Sequence, residues 1–362
     1  MKIDFLEQLP ELWQRKANIA AGTALDREKI GPEEFRALLT IDGLSLLEEM
    51  ANRARQVTRQ RFGATMELYT PLYLSNECRS SCTYCGFSYE NQIRRKTLSL
   101  SEVAAEADVI HSQGIRNLLL LTGEDYARTP VDYIARSVAL LRERFASIGI
   151  EIYPLKTEEY EFLREAGVDS LALYQETYDR ERYKEVHLRG KKKDFVYRLS
   201  APERAGQARM RSIACGALLG LAADIEQEVF VLGMHARYLM QHFWQSRISI
   251  SLPRLRPAAG FSTVPRVTDH RFVQFLCALR LFLPDVGLTL STRESPSLRD
   301  ALSRICITRM SAGSRTEPGG YTGQKNTEQF AIQDHRSVEE ICMMLRREGL
   351  DPVMTDWSPL LV

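Results

Sequence analysis

From about Thr65 onward, short apolar runs alternate with longer stretches in which apolar residues recur every three or four positions. The short runs predict strands over residues 66–74, 117–122, 149–153, 170–175, 213–219, 247–252, 287–292 and 305–310. The periodic stretches predict helices over 99–113, 131–145, 158–166, 202–211, 226–243, 269–282 and a short piece at 296–302. Some of these carry start signals. Ser99 stands three residues before Glu102 as in a capping box, and Thr129 precedes Pro130, a residue suited to a first helical turn. Near-continuous apolar strands that alternate with helices argue for a parallel sheet covered by helices. Eight such units predict an α/β fold, a complete or near-complete (β/α)8 TIM-type barrel, with a doubly wound open sheet as the alternative.

Residues 1 to about 60 read as helical. Over 44–59, Leu46, Leu47, Met50 and Val57 stand among charged residues, and the chain before it is broken by Gly22, the Gly31-Pro32 pair and Gly43. This predicts an N-terminal helical extension over 1–64 that caps or clasps a barrel core over 65–315. A C-terminal loop, helix and tail over 316–362 follow, with a helix at 337–348 and an extended piece at 351–357.

Composition narrows the class. With 362 residues, 44% of them hydrophobic, the chain can bury a large core. The 48 basic and 47 acidic residues leave a formal charge of +1, so nothing in the balance calls for nucleic acid or an anionic membrane. The start, MKIDFLEQLPELWQ, carries acids early, unlike a secretory or transit peptide. No apolar stretch approaches the roughly 18 residues of a membrane span. The expected location is cytoplasmic.

The candidate chemistry begins with cysteine. Cys78, Cys82 and Cys85 sit in NECRSSCTYCGF with C-x3-C-x2-C spacing, while Cys215, Cys277, Cys306 and Cys342 are scattered singly. Three nearby thiolates hold three irons of a cubane and leave the fourth open. A structural metal site closes all its positions, and ferredoxin-type cubanes use four cysteines. A zinc site completed from a distance, or coincidence, is the blander reading. A disulfide framework fits poorly with four singly scattered cysteines, and the odd total of seven favours a reducing compartment.

Cys78 follows the first strand, which puts the loop at the carboxyl end of a barrel, where active sites gather. Tyr84 and Phe87 flank the last cysteine as packing residues or as a flat apolar wall, and Gly86 lets the backbone pass close by. After the second strand, LLLLTGED offers Gly123 for a tight turn and Glu124 for a cationic amino group, or for a helix cap. Glu176, in LYQETY, reaches the same rim, and Arg204 offers a planar fork to a carboxylate. PRLRP brings Arg254 and Arg256 after the sixth strand. STRES ends the seventh with Ser291, Thr292, Arg293 and Glu294, making Arg293 a second carboxylate clamp or a partner of Glu294. Gly313, Gly319 and Gly320 in RMSAGSRTEPGGY suit a loop that closes on a ligand, with Ser311, Ser314 and Thr316 as donors. The basic RRK at 94–96 and GKKK at 190–193 read as solvated, and His187 belongs to no recognisable motif.

These residues carry a family resemblance. The three cysteines with Tyr84 between them match the signature of the radical S-adenosylmethionine superfamily, and TGE resembles its methionine-binding turn, usually GGE, with Thr122 in the first place. In order, PLYLSNECRSSCTYCGFS, LLLLTGE, LYQETY, PRLRP, LSTRES and EPGGY resemble the tyrosine lyases of thiamine biosynthesis, the 2-iminoacetate synthase family. The resemblance implies one 4Fe-4S cluster on Cys78, Cys82 and Cys85, with S-adenosylmethionine chelating the open iron. It implies cofactor binding by Tyr84, Gly123, Glu124, Glu176 and Arg204. It further implies that Arg293 takes the substrate carboxylate, with Tyr73 and Ser291 beside it in the catalytic set. The expected reaction is reductive cleavage of the cofactor to a 5′-deoxyadenosyl radical, which drives Cα–Cβ cleavage of L-tyrosine to 2-iminoacetate (dehydroglycine) and p-cresol. Implied partners are a reduced flavodoxin or ferredoxin and a thiazole synthase that accepts the dehydroglycine. Three other readings stand beside it. A hydrogenase-maturation tyrosine lyase would carry a second C-terminal cluster, against which Cys342 stands alone. A tryptophan-cleaving relative would differ in its side-chain pocket, and a non-enzymatic iron–sulfur scaffold would need no substrate arginine.

Overall fold

Eight parallel strands wind round a common axis, and the first pairs with the last. The computed structural model describes residues 5–262 and 267–355. Its barrel strands are β1 (Thr65–Ser75), β2 (Asn117–Thr122), β3 (Ser147–Glu151), β4 (Ser170–Ala172), β5 (Ser212–Gly216), β6 (Arg247–Ser251), β7 (Gly287–Leu290) and β8 (Arg309–Ser311). Each lies parallel to the next in chain order. Closure comes from β1 against β8, with Glu67 opposite Arg309, Leu68 opposite Met310 and Tyr69 opposite Ser311. The expected (β/α)8 barrel therefore forms, and the open sheet does not.

Strand alternation separates an outer from an inner part of the core. Met66, Leu68, Leu72 and Leu74 of β1 join Leu118, Leu120, Ile148 and Ile150 in a large apolar cluster shared with the helices. Tyr69, Tyr73, Leu119, Leu121, Ala172 and Ala214 form a separate cluster inside the barrel. Strands buried on both faces read as continuous apolar runs, which is why LLLL in β2 shows no period of two.

Helices Leu100–Ser112, Val131–Leu141, Thr157–Ala166, Ala201–Gln207, Ile225–His242, Asp269–Phe282, Pro296–Ser303 and Val338–Arg347 come between and after the strands in turn. The capping box at Ser99 and Glu102 is present. The cap expected of Thr129 is not: its hydroxyl donates to the Asp125 carbonyl at 2.9 Å, and Pro130 takes the cap position. Beyond the last helix, β9 (Asp351–Val353) pairs with the start of β1. It is the ordered part of the extended tail expected over 351–357, whose last two residues lie outside the described ones.

The N-terminal helices Phe5–Gln14, Pro32–Leu39 and Leu47–Phe62 pack on Ile225–His242 and Asp269–Phe282. Phe35 stacks on Phe282 with ring centres 4.3 Å apart, and a Cβ on Gly233 would meet the Phe35 ring at 2.5 Å. Fully burying such a ring is worth roughly 1.5–3 kcal/mol, so this contact holds the extension firmly to the helical layer.

Several strands are shorter than their apolar runs: β5 stops at Gly216 and β7 at Leu290, and β4 and β8 are cut for visible reasons. β4 stops at Ala172, and the chain beyond it turns through Glu176, a non-glycine residue at φ 71°. β8 begins only at Arg309, because the amides of Ile305, Cys306 and Ile307 all fold back on the Leu302 carbonyl. Among the described residues no helix is long and apolar enough to cross a membrane.

Candidate active site at the carboxyl mouth of the barrel

The loop after β1 is stitched to three other parts of the chain. Ser81–Cys82 pairs antiparallel with His187–Arg189, placing Cys82 opposite His187. The Arg79 amide donates to the Glu124 carbonyl at 3.1 Å, and the Gly86 amide donates to the Gln329 carbonyl at 3.1 Å. Both glycines of these approaches are sterically required. A Cβ on Gly123 would lie 2.2 Å from the Glu77 oxygen and 3.1 Å from the Cys78 Cβ; one on Gly86 would lie 2.6 Å from the Gln329 oxygen. Arg95, expected to be solvated, instead donates to the carbonyls of Asn76, Phe87, Ser88 and Asn91 and braces the loop from within.

Cys78, Cys82 and Cys85 are free thiols, with Cys82 the most buried. Burial pushes Cys78 up to about 11 and raises Cys82 and Cys85 as well, although Lys192 opposes the rise at both of these. The Gln329 amide nitrogen lies 3.9 Å from the Cys85 sulfur. Among the described residues, no three His, Cys, Asp or Glu side chains converge on the position of one ion. The Tyr84 hydroxyl bonds His187 Nε2 at 2.8 Å, and His187 Nδ1 lies 2.8 Å from the Tyr183 carbonyl. A carbonyl only accepts, so Nδ1 carries the proton and Nε2 accepts from the phenol. Burial keeps this imidazole neutral, lowering it to about 3.

Beside the thiols stands a compact set of buried charges. Arg198 bridges the two acids, with Nη1 3.0 Å from Glu124 and Nη2 3.2 Å from Glu176. Lys192 reaches Glu176 at 2.8 Å, and the Ser80 hydroxyl donates to Glu124 at 3.0 Å. Burial works to raise the Glu176 carboxyl, but Lys192 and Arg198 outweigh it and hold it below the ordinary value. Two expectations change here. Arg204 is not in this set: its guanidinium donates to the Leu155 and Tyr197 carbonyls and to the Ser200 hydroxyl, and Arg198 stands next to the acids instead. Within GKKK, Lys192 points inward, with only 13% of its side chain exposed.

A second cavity opens deeper in the barrel, lined by Tyr69, Tyr73, Glu151, Tyr174, Arg293 and Phe330 among others. The Arg293 guanidinium lies 3.3 Å over the Phe330 ring. It does not pair with Glu294, which is taken by Arg254 and Arg256. The Ser291 hydroxyl accepts from the Arg293 amide at 3.4 Å, and the Tyr73 hydroxyl donates to the Gln329 side chain at 2.7 Å. The loop after β8 thus reaches both halves of the site through adjacent residues, Gln329 toward the thiols and Phe330 toward Arg293. It is anchored by Glu106, which accepts from the Tyr321 and Thr322 amides. A roomier cavity of about 640 Å3 lies at the opposite mouth, around the strand starts at Thr65, Ser212, Arg247 and Gly287, and none of Cys78, Cys82 and Cys85 lines it.

Lys192 was expected to be solvated, and Arg198, Glu151, Gln329 and Phe330 were not among the residues expected at the site. Glu151 left one signal, an acid in the inward register of an apolar strand; Gln329 and Phe330 lie in irregular chain and left none.

Known proteins give the geometry a context. The Radical SAM superfamily matches residues 72–229, and the Biotin and Thiamin Synthesis associated domain matches 251–351. The chain is 44% identical to the 2-iminoacetate synthase of Escherichia coli K12 over 93% of its length and 90% of that protein. It is 42% identical to the Salmonella typhimurium 2-iminoacetate synthase over 92% of its length and 89% of that protein. Among solved structures, HydG, a maturase of the FeFe-hydrogenase, superposes with a TM-score of 0.87 at 32% identity, covering 97% of this chain and 79% of that one. Similarity at this level across nearly the whole length shows that the chain belongs to the 2-iminoacetate synthase family of radical S-adenosylmethionine enzymes.

Proposed function

We propose that the protein cleaves L-tyrosine between Cα and Cβ, forming 2-iminoacetate and p-cresol for the thiazole of thiamine. The carrying observation is the adjacency, at one barrel mouth, of three free thiols, a buried set of two acids and two bases, and a separate arginine-lined cavity.

The residues suit a 4Fe-4S cluster and S-adenosylmethionine. Cys78, Cys82 and Cys85 would hold the cluster: they are unpaired sulfurs in a loop that two glycine contacts pack against its neighbours. Thr122 Oγ1, in the turn after β2, is a buried polar atom with no partner in the protein. When bound, the reduced cluster supplies the electron that splits the sulfonium and so begins radical chemistry. Glu124 and Glu176 offer acceptors to the cofactor's amino and ribose groups, while Arg198 and Lys192 offer donors to its carboxylate. Tyr84, tied to His187, holds the cysteine loop in place and excludes water.

Arg293 takes the substrate carboxylate. Its plane is set by stacking on Phe330, so less freedom is lost on binding. Ser291 supports the turn that carries it, and Tyr69, Tyr73 and Tyr174 form a dry wall for the aromatic end. Enclosure matters because a carbon radical attacks most C–H bonds it meets. A reduced flavodoxin or ferredoxin fits as electron donor. A thiazole synthase fits as acceptor, because the imine hydrolyses in water and gains from direct transfer.

Anaerobic turnover of the cluster-loaded protein with each aromatic amino acid tests the reading. Tyrosine is expected to yield 5′-deoxyadenosine, p-cresol and glyoxylate, the last from hydrolysis of the imine. Consumption of tryptophan with tyrosine untouched would overturn the substrate. The likeness to HydG raises a second reading, a maturation lyase, which iron content separates: about four irons per chain fit one cubane, and about twice that would favour the maturase.

A further inference from the structure

Three buried acids at the carboxyl mouth have basic partners: Glu124 and Glu176 pair with Arg198 and Lys192, and Glu294 with Arg254 and Arg256. Glu151 does not. It is the last residue of β3, where Ile148 and Ile150 face the helical layer and Gly149 and Glu151 face inward. Tyr73 pairs with Leu121 and Leu121 with Glu151, so these three stand at one level across adjacent strands. The carboxylate opens into the cavity that also holds Arg293. Among the described residues, neither the Glu151 carboxylate nor the Arg293 guanidinium has a hydrogen-bonding side-chain or backbone partner; Arg293 rests only on the Phe330 ring.

An acid and a base that line one cavity, neither hydrogen-bonded within the protein, are better satisfied when a ligand completes both. The ligand that does so carries a carboxylate and an ammonium a few bonds apart, as an α-amino acid does. We propose that Glu151 receives the α-ammonium of the amino acid whose carboxylate sits on Arg293, and that it takes one proton from that group. The inference rests on the reading of this cavity as the amino-acid site and adds the residue that reads the nitrogen. The transfer balances simply: an ammonium N–H bond breaks, its electron pair stays on nitrogen, and the proton joins the Glu151 carboxylate to give a neutral amine and a carboxylic acid. The step prepares the substrate, since an ammonium has no lone pair to stabilise a nitrogen radical and a neutral amine does. Burial, with Glu176 nearby, pushes Glu151 up to about 7 against the pull of Arg293, Lys192 and Arg198, so the group can hold a proton at neutral pH.

The test compares two ligands on cluster-loaded protein with S-adenosylmethionine and no reductant, so that nothing turns over. L-tyrosine carries the ammonium, and 3-(4-hydroxyphenyl)propanoate is the same molecule without it. The parent protein is expected to prefer tyrosine. Glu151→Gln, which keeps the shape and removes the charge, is expected to weaken tyrosine roughly tenfold or more while leaving the propanoate unchanged, so that the preference disappears. Cluster absorbance checks that the variant is loaded. Arg293→Met is expected to weaken both ligands alike. If it does and Glu151→Gln weakens both ligands equally or neither, the Glu151 assignment falls while the pocket reading survives. If Arg293→Met changes neither ligand, the pocket reading itself fails and the role of Glu151 goes with it.

Discussion

Two arginines six residues apart show how much a side chain's partners decide. Arg204 spends its guanidinium on two carbonyls and a hydroxyl of neighbouring chain, whereas Arg198 sits between two buried carboxylates. Arg198→Ala leaves two acids facing each other and removes a donor from the cofactor side. We expect it to weaken S-adenosylmethionine binding by about 2–5 kcal/mol, with Arg204→Ala lowering the melting temperature and leaving that affinity unchanged. Isothermal titration of both variants checks this, and equal losses would return Arg204 to the site. Arg293→Ala is expected to act in the opposite sense, costing tyrosine affinity while cofactor affinity persists. Cys82→Ala is expected to lose iron and turnover together, with the far-ultraviolet circular dichroism of the parent retained.

At the scale of elements, the loop after β8 is held by a buried ion pair. Arg299, from Pro296–Ser303, reaches Asp334 and the Ser311 carbonyl, and neither charged side chain is exposed. Breaking such a pair from one side strands a charge and costs about 3–5 kcal/mol. Asp334→Ala should therefore lower stability in chemical denaturation by that order and loosen Gln329 and Phe330, raising the KM for tyrosine. A different element carries a pH response. Glu228, in Ile225–His242, accepts from the Thr177 hydroxyl and the Tyr178 amide at 2.7 Å each, and burial pushes it up to about 8. A carboxyl raised in the fold contributes stability below its unfolded value near 4.5, and that contribution is lost as pH rises through about 8. Glu228→Gln should thus gain on the parent in thermal melts as pH goes from 5 to 8; a constant difference would show that Glu228 ionises normally.

For the molecule as a whole, one barrel mouth collects residues from nearly the full length of the chain. The thiols follow β1, Glu124 follows β2, Glu151 ends β3, Glu176 follows β4, Arg293 follows β7, and Gln329 and Phe330 come from the closing loop. Parallel strands all point their carboxyl ends the same way, so eight distant segments meet there without any local signal in the chain.

The cysteine triplet, the strand–helix alternation and the resemblance to the family were legible because each is written in contiguous residues. Spacing within a loop and periodicity within an element depend only on near neighbours. The choice of Arg198 over Arg204, the inward turn of Lys192, the release of Arg293 by Arg254 and Arg256, and the lone charge of Glu151 were not legible. Each depends on which side chains meet after the barrel closes, and partners there come from strands tens to hundreds of residues apart. Local chemistry was settled by the order of amino acids; the pairing of buried charges was settled by closure.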